Sequence, residues 1–135
     1  MDDIDLMYQE QILDHYKNPR NFGSIENASV HHHEYNPLCG DEVEIFLSIG
    51  KDKKIADVKF KGHGCAISQA STSMLTEEVK GKSISEIKTM TKDDILKMLG
   101  IPISPVRLKC ALLSLDTLKN SVMIFDKYID GKNIR

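Results

Sequence analysis

Two runs near the middle of the chain alternate between apolar and polar positions. From Glu42 to Ile49, Val43, Ile45, Leu47 and Ile49 fall on one face, and Glu42, Glu44 and Ser48 on the other. From Ile55 to Lys61, Ala56, Val58 and Phe60 oppose Asp57, Lys59 and Lys61. A period of two is that of a strand with one buried face. The short Gly50-Lys51-Asp52-Lys53 segment between the runs predicts an antiparallel hairpin. A weaker extended run, Ala28 to Tyr35, predicts a third strand.

Elsewhere the period is helical. Asp3 to Tyr16 spaces Ile4, Met7, Tyr8, Gln11, Ile12 and His15 along one side, and Asn18 to Gly23 breaks the run. Ala66 to Lys80 carries a stripe of Ile67, Ala70, Met74, Leu75 and Val79, and Gly81 is a natural stop. Ser83-x-x-Glu86 and Thr91-x-x-Asp94 resemble capping boxes for two short helices, the second ending before Gly100. Ser104-Pro105 suits a cap followed by proline in the first turn. From there Leu108, Leu112, Leu115, Leu118, Val122, Phe125 and Ile129 form a long stripe that predicts a helix covering the sheet. The expected fold is α+β: a small antiparallel three-stranded sheet packed against helices, with a long C-terminal helix, in one domain over residues 1–135.

Composition narrows the function. With 18 Lys and Arg against 20 Asp and Glu, the net charge of −2 excludes a generally basic nucleic-acid binder. No apolar run approaches the ~18–20 residues needed to cross a bilayer. The acidic Met1-Asp2-Asp3-Ile4-Asp5 start lacks the pattern of a secretion signal, so a cytoplasmic location is expected.

The chemistry lies in three cysteines, Cys39, Cys65 and Cys110, spaced 26 and 45 residues apart. An odd count and the absence of C-x-x-C exclude a closed disulfide framework and the common zinc-finger spacings. Free cysteine packs well in cores, so three unrelated buried thiols is the plain alternative. Position argues against it. Cys39 lies in the turn-rich Asn36-Pro37-Leu38-Cys39-Gly40-Asp41, and Cys65 follows Gly62-His63-Gly64 at a strand-to-helix junction. Cys110 lies near the start of the long helix, off its leucine stripe. Helix N-termini favour thiolate, the form that binds metal or attacks sulfur. Cys39 and Cys65 flank the hairpin, so they are expected side by side. Asp41, two residues after Cys39, points the same way in an extended segment. Three sulfurs and one oxygen would complete a tetrahedral zinc site or anchor a [2Fe–2S] unit. A hard carboxylate holds iron less firmly than a fourth thiolate. All four residues are expected to converge on one exposed site.

Three segments together resemble the U-type iron–sulfur scaffold family, the IscU, SufU and NifU N-terminal domain group. They are Asn36 to Asp41, Gly62 to Met74, and Pro105-Val106-Arg107-Leu108-Lys109-Cys110-Ala111; Asp14 to Asn21 resembles the end of the family's first helix. The resemblance implies that Cys39, Cys65 and Cys110 accept sulfur and bind metal, with Cys39 the candidate persulfide acceptor, and that Asp41 tunes lability. It implies a cysteine desulfurase as sulfur donor, apo iron–sulfur proteins as recipients, and an iron donor or chaperone as further partners. The cargo would be iron or a [2Fe–2S] cluster, with zinc in the resting state.

The chain mixes branches of that family. Lys109 stands where the IscU branch has histidine, and Ile103-Ser104-Pro105-Val106-Arg107 lacks one proline of the IscU chaperone motif. The Arg-x-Lys-Cys sequence resembles the SufU branch, yet the interval Cys65 to Cys110 is too short for the SufU insertion. Two functional readings follow: a cluster assembly scaffold, and a zinc-dependent sulfurtransferase. A closed structural zinc domain is a third and weaker fit, because such sites are normally Cys/His only. A protonated Lys109 has no lone pair for a metal and is expected to act through its charge. His31 and His33 should share the solvent face of an edge strand. His63 either only flanks the site or serves as an alternate ligand, and Arg107 either pairs with Asp41 or contacts the cluster, or else faces solvent.

Overall fold

The structure is a computed structural model that describes the backbone of residues 3–37 and 40–133, and side chains over 9–37 and 40–128. The element order is α1 (Asp3–Lys17), β1 (Val30–Asn36), β2 (Asp41–Ile49), β3 (Ile55–His63), α2 (Ala66–Val79), α3 (Ile84–Lys88), α4 (Lys92–Leu99) and α5 (Pro105–Asn133). The strands form one antiparallel sheet in the order β1-β2-β3. The α+β architecture expected from the pattern is therefore the one observed.

Alternation decides which face of the sheet is covered. Val43, Ile45 and Leu47 of β2 are buried, with Val58 and Phe60 of β3 beside them. α2 and α5 pack on that face. The opposite face, carrying His31, His33, Glu42, Glu44, Lys61 and His63, is open. One position departs from the expected parity. Ala56 is exposed and Ile55 buried, because the β2–β3 register shifts at Ser48/Ile49. A bulge adds one residue to one strand and flips the faces beyond it.

The turn residues act as their chemistry predicts. Lys53 adopts a positive φ of 61° between the hairpin strands, and the Lys53 N–H donates to Gly50 O at 2.9 Å. Ser83 and Glu86 cap α3 reciprocally, at 3.1 and 3.2 Å. The Thr91 N–H donates to Asp94 Oδ2 at 2.8 Å, and Gly100 ends α4 in the left-handed region. The Arg107 N–H donates to Ser104 Oγ at 3.3 Å, which starts α5 at Pro105.

The long helix buries a wider face than the expected stripe. Leu115, Leu118 and Val122 are buried, but so are Cys110, Ala111, Ser114, Thr117 and Ser121, while Leu108 and Leu112 are only partly covered. The partner face is equally unconventional: α2 buries Ser68, Gln69, Ser71, Thr72, Ser73 and Thr76. Small side chains let the two helices approach closely, and their hydroxyls find partners inside. Ser71 Oγ donates to Ala111 O at 3.0 Å and lies 3.1 Å from Ser114 Oγ. Thr72, Thr117 and Ser121 bond back to carbonyls within their own helices. Among the described residues no buried side-chain polar atom lacks a partner. The side chains of Ile4, Met7, Tyr8 and Ile129, and the Leu38–Cys39 pair, lie outside the described residues. No helix among the described residues is long and apolar enough to cross a membrane.

Candidate metal and sulfur site

Three elements meet at one end of the sheet: the first residue of β2, the N-cap of α2, and the second turn of α5. They bring Asp41, Cys65 and Cys110 together, with one ligand atom from each, all within 4.8 Å of one another. Asp41 follows a tight connection, in which the Gly40 N–H donates to Asn36 O at 2.8 Å and Gly40 has a φ of 72°. Its carboxylate faces inward like Val43 and is fully buried.

The carboxylate is held by the strand-to-helix junction. The Cys65 N–H donates to Asp41 Oδ1 at 2.8 Å, and the Cys65 thiol lies 3.6 Å from Oδ2. Cys65 is also the N-cap of α2: its Sγ accepts from the Ser68 N–H at 3.4 Å. The helix N-terminus therefore directs an N–H and the positive end of its dipole at this sulfur. Cys110 Sγ lies 3.7 Å from Val106 O, one turn back along α5.

The glycines before Cys65 make this packing possible. A Cβ at Gly64, where φ is +150°, would overlap Asp41 Oδ1 and lie 2.7 Å from its Cγ. A Cβ at Gly62 would overlap the Glu42 carbonyl and lie 3.2 Å from the Val43 Cα. Neither glycine stands out as functional in the sequence alone. The Gly-x-Gly spacing immediately before a candidate ligand was the available signal.

Several expectations change in detail. The site is less exposed than expected: Asp41 is 0% and Cys110 2% exposed, and only Cys65 is partly open. Cys110 is on the buried face of α5, because that face includes small residues, Ala111, Ser114, Thr117 and Ser121, as well as leucines. Cys39 lies outside the described residues. His63 is exposed on the outer face of the sheet, paired with Glu42 at 2.9 Å, and is not part of the Asp41 group. Arg107 is exposed and makes no ion pair among the described residues. Lys109 is exposed at a surface depression of about 270 Å³, shared with Tyr35, Asn36, Pro37, Leu112, Leu113 and Asp116.

A second constellation, Glu77, His15 and Ser73, has the order of a hydrolytic triad but not its function. His15 Nδ1 lies 2.8 Å from Ser73 Oγ, and His15 Nε2 lies 3.5 Å from Glu77. Ser73 is fully buried and already accepts the Arg20 N–H at 2.8 Å. The hydroxyl cannot reach a substrate, so the group pins α1 and the following turn to α2. Burial pushes His15 below the usual imidazole range, and the Arg20 charge adds to this against the pull of Glu77 and Asp14.

Known proteins share this arrangement of chain and fold. The family model described as the NifU-like N terminal domain matches residues 7–131. An iron-sulfur cluster assembly scaffold protein IscU from Rickettsia prowazekii is 35% identical over 94% of this chain and 98% of its own length. The zinc-dependent sulfurtransferase SufU of Bacillus subtilis is 38% identical over 88% of this chain and 91% of its own. Among solved structures, a putative iron-sulfur cluster assembly scaffold protein for the SUF system from Fervidobacterium islandicum superposes with a TM-score of 0.75. It is 34% identical, covering 87% of this chain and 97% of that one.

Proposed function

The chain belongs to the NifU-like N terminal domain family, and we propose that it is an iron–sulfur cluster assembly scaffold. It accepts persulfide sulfur from a cysteine desulfurase, holds it with ferrous iron while an external electron donor, a thiol or a reduced ferredoxin, supplies the electrons that convert sulfane sulfur to sulfide in a nascent [2Fe–2S] cluster, and passes the cluster to apo target proteins. The observation that carries this reading is the buried Asp41 carboxylate grouped with the Cys65 and Cys110 sulfurs, with ligand atoms all within 4.8 Å of one another. Two soft donors and one hard donor at that spacing suit a metal that is to be held and then released.

Cys39 supplies the third sulfur in this proposal. It is two residues before Asp41, and two peptide steps of ~3.8 Å keep its Cα within ~7.6 Å of the Asp41 Cα. A ligand on the connecting loop suits a thiolate that must leave the site to meet a partner. In sulfur transfer, the Cys39 thiolate attacks the outer sulfur of the desulfurase persulfide. A new S–S bond forms on Cys39, the old one breaks, and the desulfurase cysteine leaves as thiolate. Lys109, exposed at a depression shared with Asn36 and Pro37, supplies positive charge next to an anionic persulfide or cluster. An iron donor or chaperone would complete the partner set. The reduced thiols this chemistry needs support a cytoplasmic location.

A zinc-dependent sulfurtransferase is the second reading, favoured by Lys109 in place of a ligating residue and by the SufU relative. The same Cys39, Asp41, Cys65 and Cys110 would hold zinc, which keeps thiolates deprotonated when bound. The experiment is anaerobic incubation with desulfurase, cysteine and ferrous iron, with and without an added electron donor, followed by metal and acid-labile sulfide analysis with a visible spectrum. Iron and sulfide in equal amounts, transferable to an apo ferredoxin, support the scaffold. One tight zinc per chain with a Cys39 persulfide and no sulfide-bearing chromophore overturns it in favour of sulfur transfer.

A further inference from the structure

We propose that the open face of the sheet carries a second metal site, a divalent transition-metal chelate made by His33, Glu42 and His63. One residue comes from each strand. Glu42 lies directly opposite His63 across β2–β3, and His33 is its diagonal neighbour on β1. Both imidazoles address the same carboxylate through Nε2, His63 at 2.9 Å from Oε1 and His33 at 3.3 Å from Oε2. Two imidazoles and a carboxylate are the donor set of many zinc and ferrous sites, and imidazole also takes nickel and copper. The imidazoles now meet oxygens of Glu42 and do not yet converge on one point. His33 and His63 are 49% and 72% exposed, so both have freedom to turn toward a shared ion.

The neighbouring residues select this set. His31 pairs with Glu44 at 3.3 Å one step along the same face, but Glu44 is opposite Lys61, whose charge opposes a cation there. Glu42 has Tyr35 on one side and His63 on the other. His32 points to the covered side, where it pairs with Glu34, which also accepts from Asn120 Nδ2 at 2.7 Å. The site is distinct from the buried Asp41 group, because consecutive strand residues face opposite ways. It does not rest on the scaffold reading.

Nickel(II) is the probe. It is titrated into the reduced protein while imidazole ¹⁵N NMR follows each histidine, and near-UV thiolate-to-nickel absorption reports the cysteines separately. The His33 and His63 signals should broaden together at micromolar metal, with His32 unaffected. Apparent affinity should fall about tenfold, equivalent to ~1.4 kcal/mol, in each of His33→Gln, His63→Gln and Glu42→Gln, and stay unchanged in His32→Gln. All four positions lie outside the apolar core, and an amide ¹⁵N spectrum checks each fold. Nickel affinity unchanged in a His33→Gln/His63→Gln variant, or nickel seen only in the thiolate band, overturns the proposal.

Discussion

Replacing Gly64 with alanine tests how the buried carboxylate is held. The new Cβ would overlap Asp41 Oδ1, and would lie 2.7 Å from the Asp41 Cγ and 2.9 Å from its Cα. Asp41 is fully buried and cannot swing into solvent without opening the end of β2. The 2.8 Å bond from the Cys65 N–H is lost first. A hydrogen bond to a charged acceptor contributes about 1.5–3 kcal/mol, and a side chain forced to this positive φ costs about 1–3 kcal/mol. The expected loss is therefore about 2.5–6 kcal/mol, against a total of about 5–15 kcal/mol for a typical domain. Urea unfolding under reducing, anaerobic conditions measures it. Asp41→Ala removes the overlap with Oδ1 and Cγ but leaves the tight approach to the β2 backbone, so Gly64→Ala should cost less in that background. A coupling of about 1–3 kcal/mol is expected. A Gly64→Ala protein within ~0.5 kcal/mol of the parent, or a strictly additive cycle, would show that the close approach is not what places the carboxylate.

Asp41→Ala should lengthen the lifetime of a bound cluster under chelator challenge and slow its delivery, since the hard oxygen donor is gone; a shorter lifetime contradicts this. Lys109→His adds an imidazole at the edge of the site and should raise zinc affinity, whereas Lys109→Ala should keep zinc stoichiometry and reduce sulfur acceptance. Loss of zinc in the alanine variant, with the fold intact, would remove Asp41 from the proposed ligand set. The depressed His15 value makes the unfolded chain bind more protons than the folded one below the ordinary imidazole value of 6.5. That contribution is fully present above pH ~6.5 and declines as pH falls through the folded value; urea midpoints between pH 8 and 5 should fall less steeply in His15→Gln. Asp14 and Glu86, both depressed by hydrogen bonds, act in a separate window below their ordinary values of 3.8 and 4.5.

Strands and caps were legible because their signals are local. The Val43-Ile45-Leu47 alternation, the Ser83–Glu86 box and Gly100 each specify a neighbour a few residues away. Ala56 misled because a bulge is a property of two paired strands, and the alternation of one run cannot show it. The α2–α5 seam was hidden for another reason. Helices that pack through Ser71, Ala111 and Ser114 bury polar oxygen satisfied across the seam, and Thr117 and Ser121 bury oxygen satisfied along α5, all of which a search for apolar stripes scores as surface. That same seam carries Cys110 inward, so its burial could not be read from the leucines. Asp41 and Cys65 were legible as candidates from their turn and junction contexts. Their mutual hydrogen bond, and the need for glycine at 64, appear only once β2 and the start of α2 are side by side.

The claim that a mixed sulfur and oxygen site binds metal is tested most directly by X-ray absorption at the zinc edge, on protein loaded anaerobically with one equivalent of zinc. Three sulfurs at ~2.3 Å and one oxygen at ~2.0–2.2 Å are predicted, with a sulfur lost in each of Cys39→Ser, Cys65→Ser and Cys110→Ser and the oxygen lost in Asp41→Ala. A shell of nitrogen and oxygen alone would place the tightest metal among the histidines of the open face and contradict the assignment.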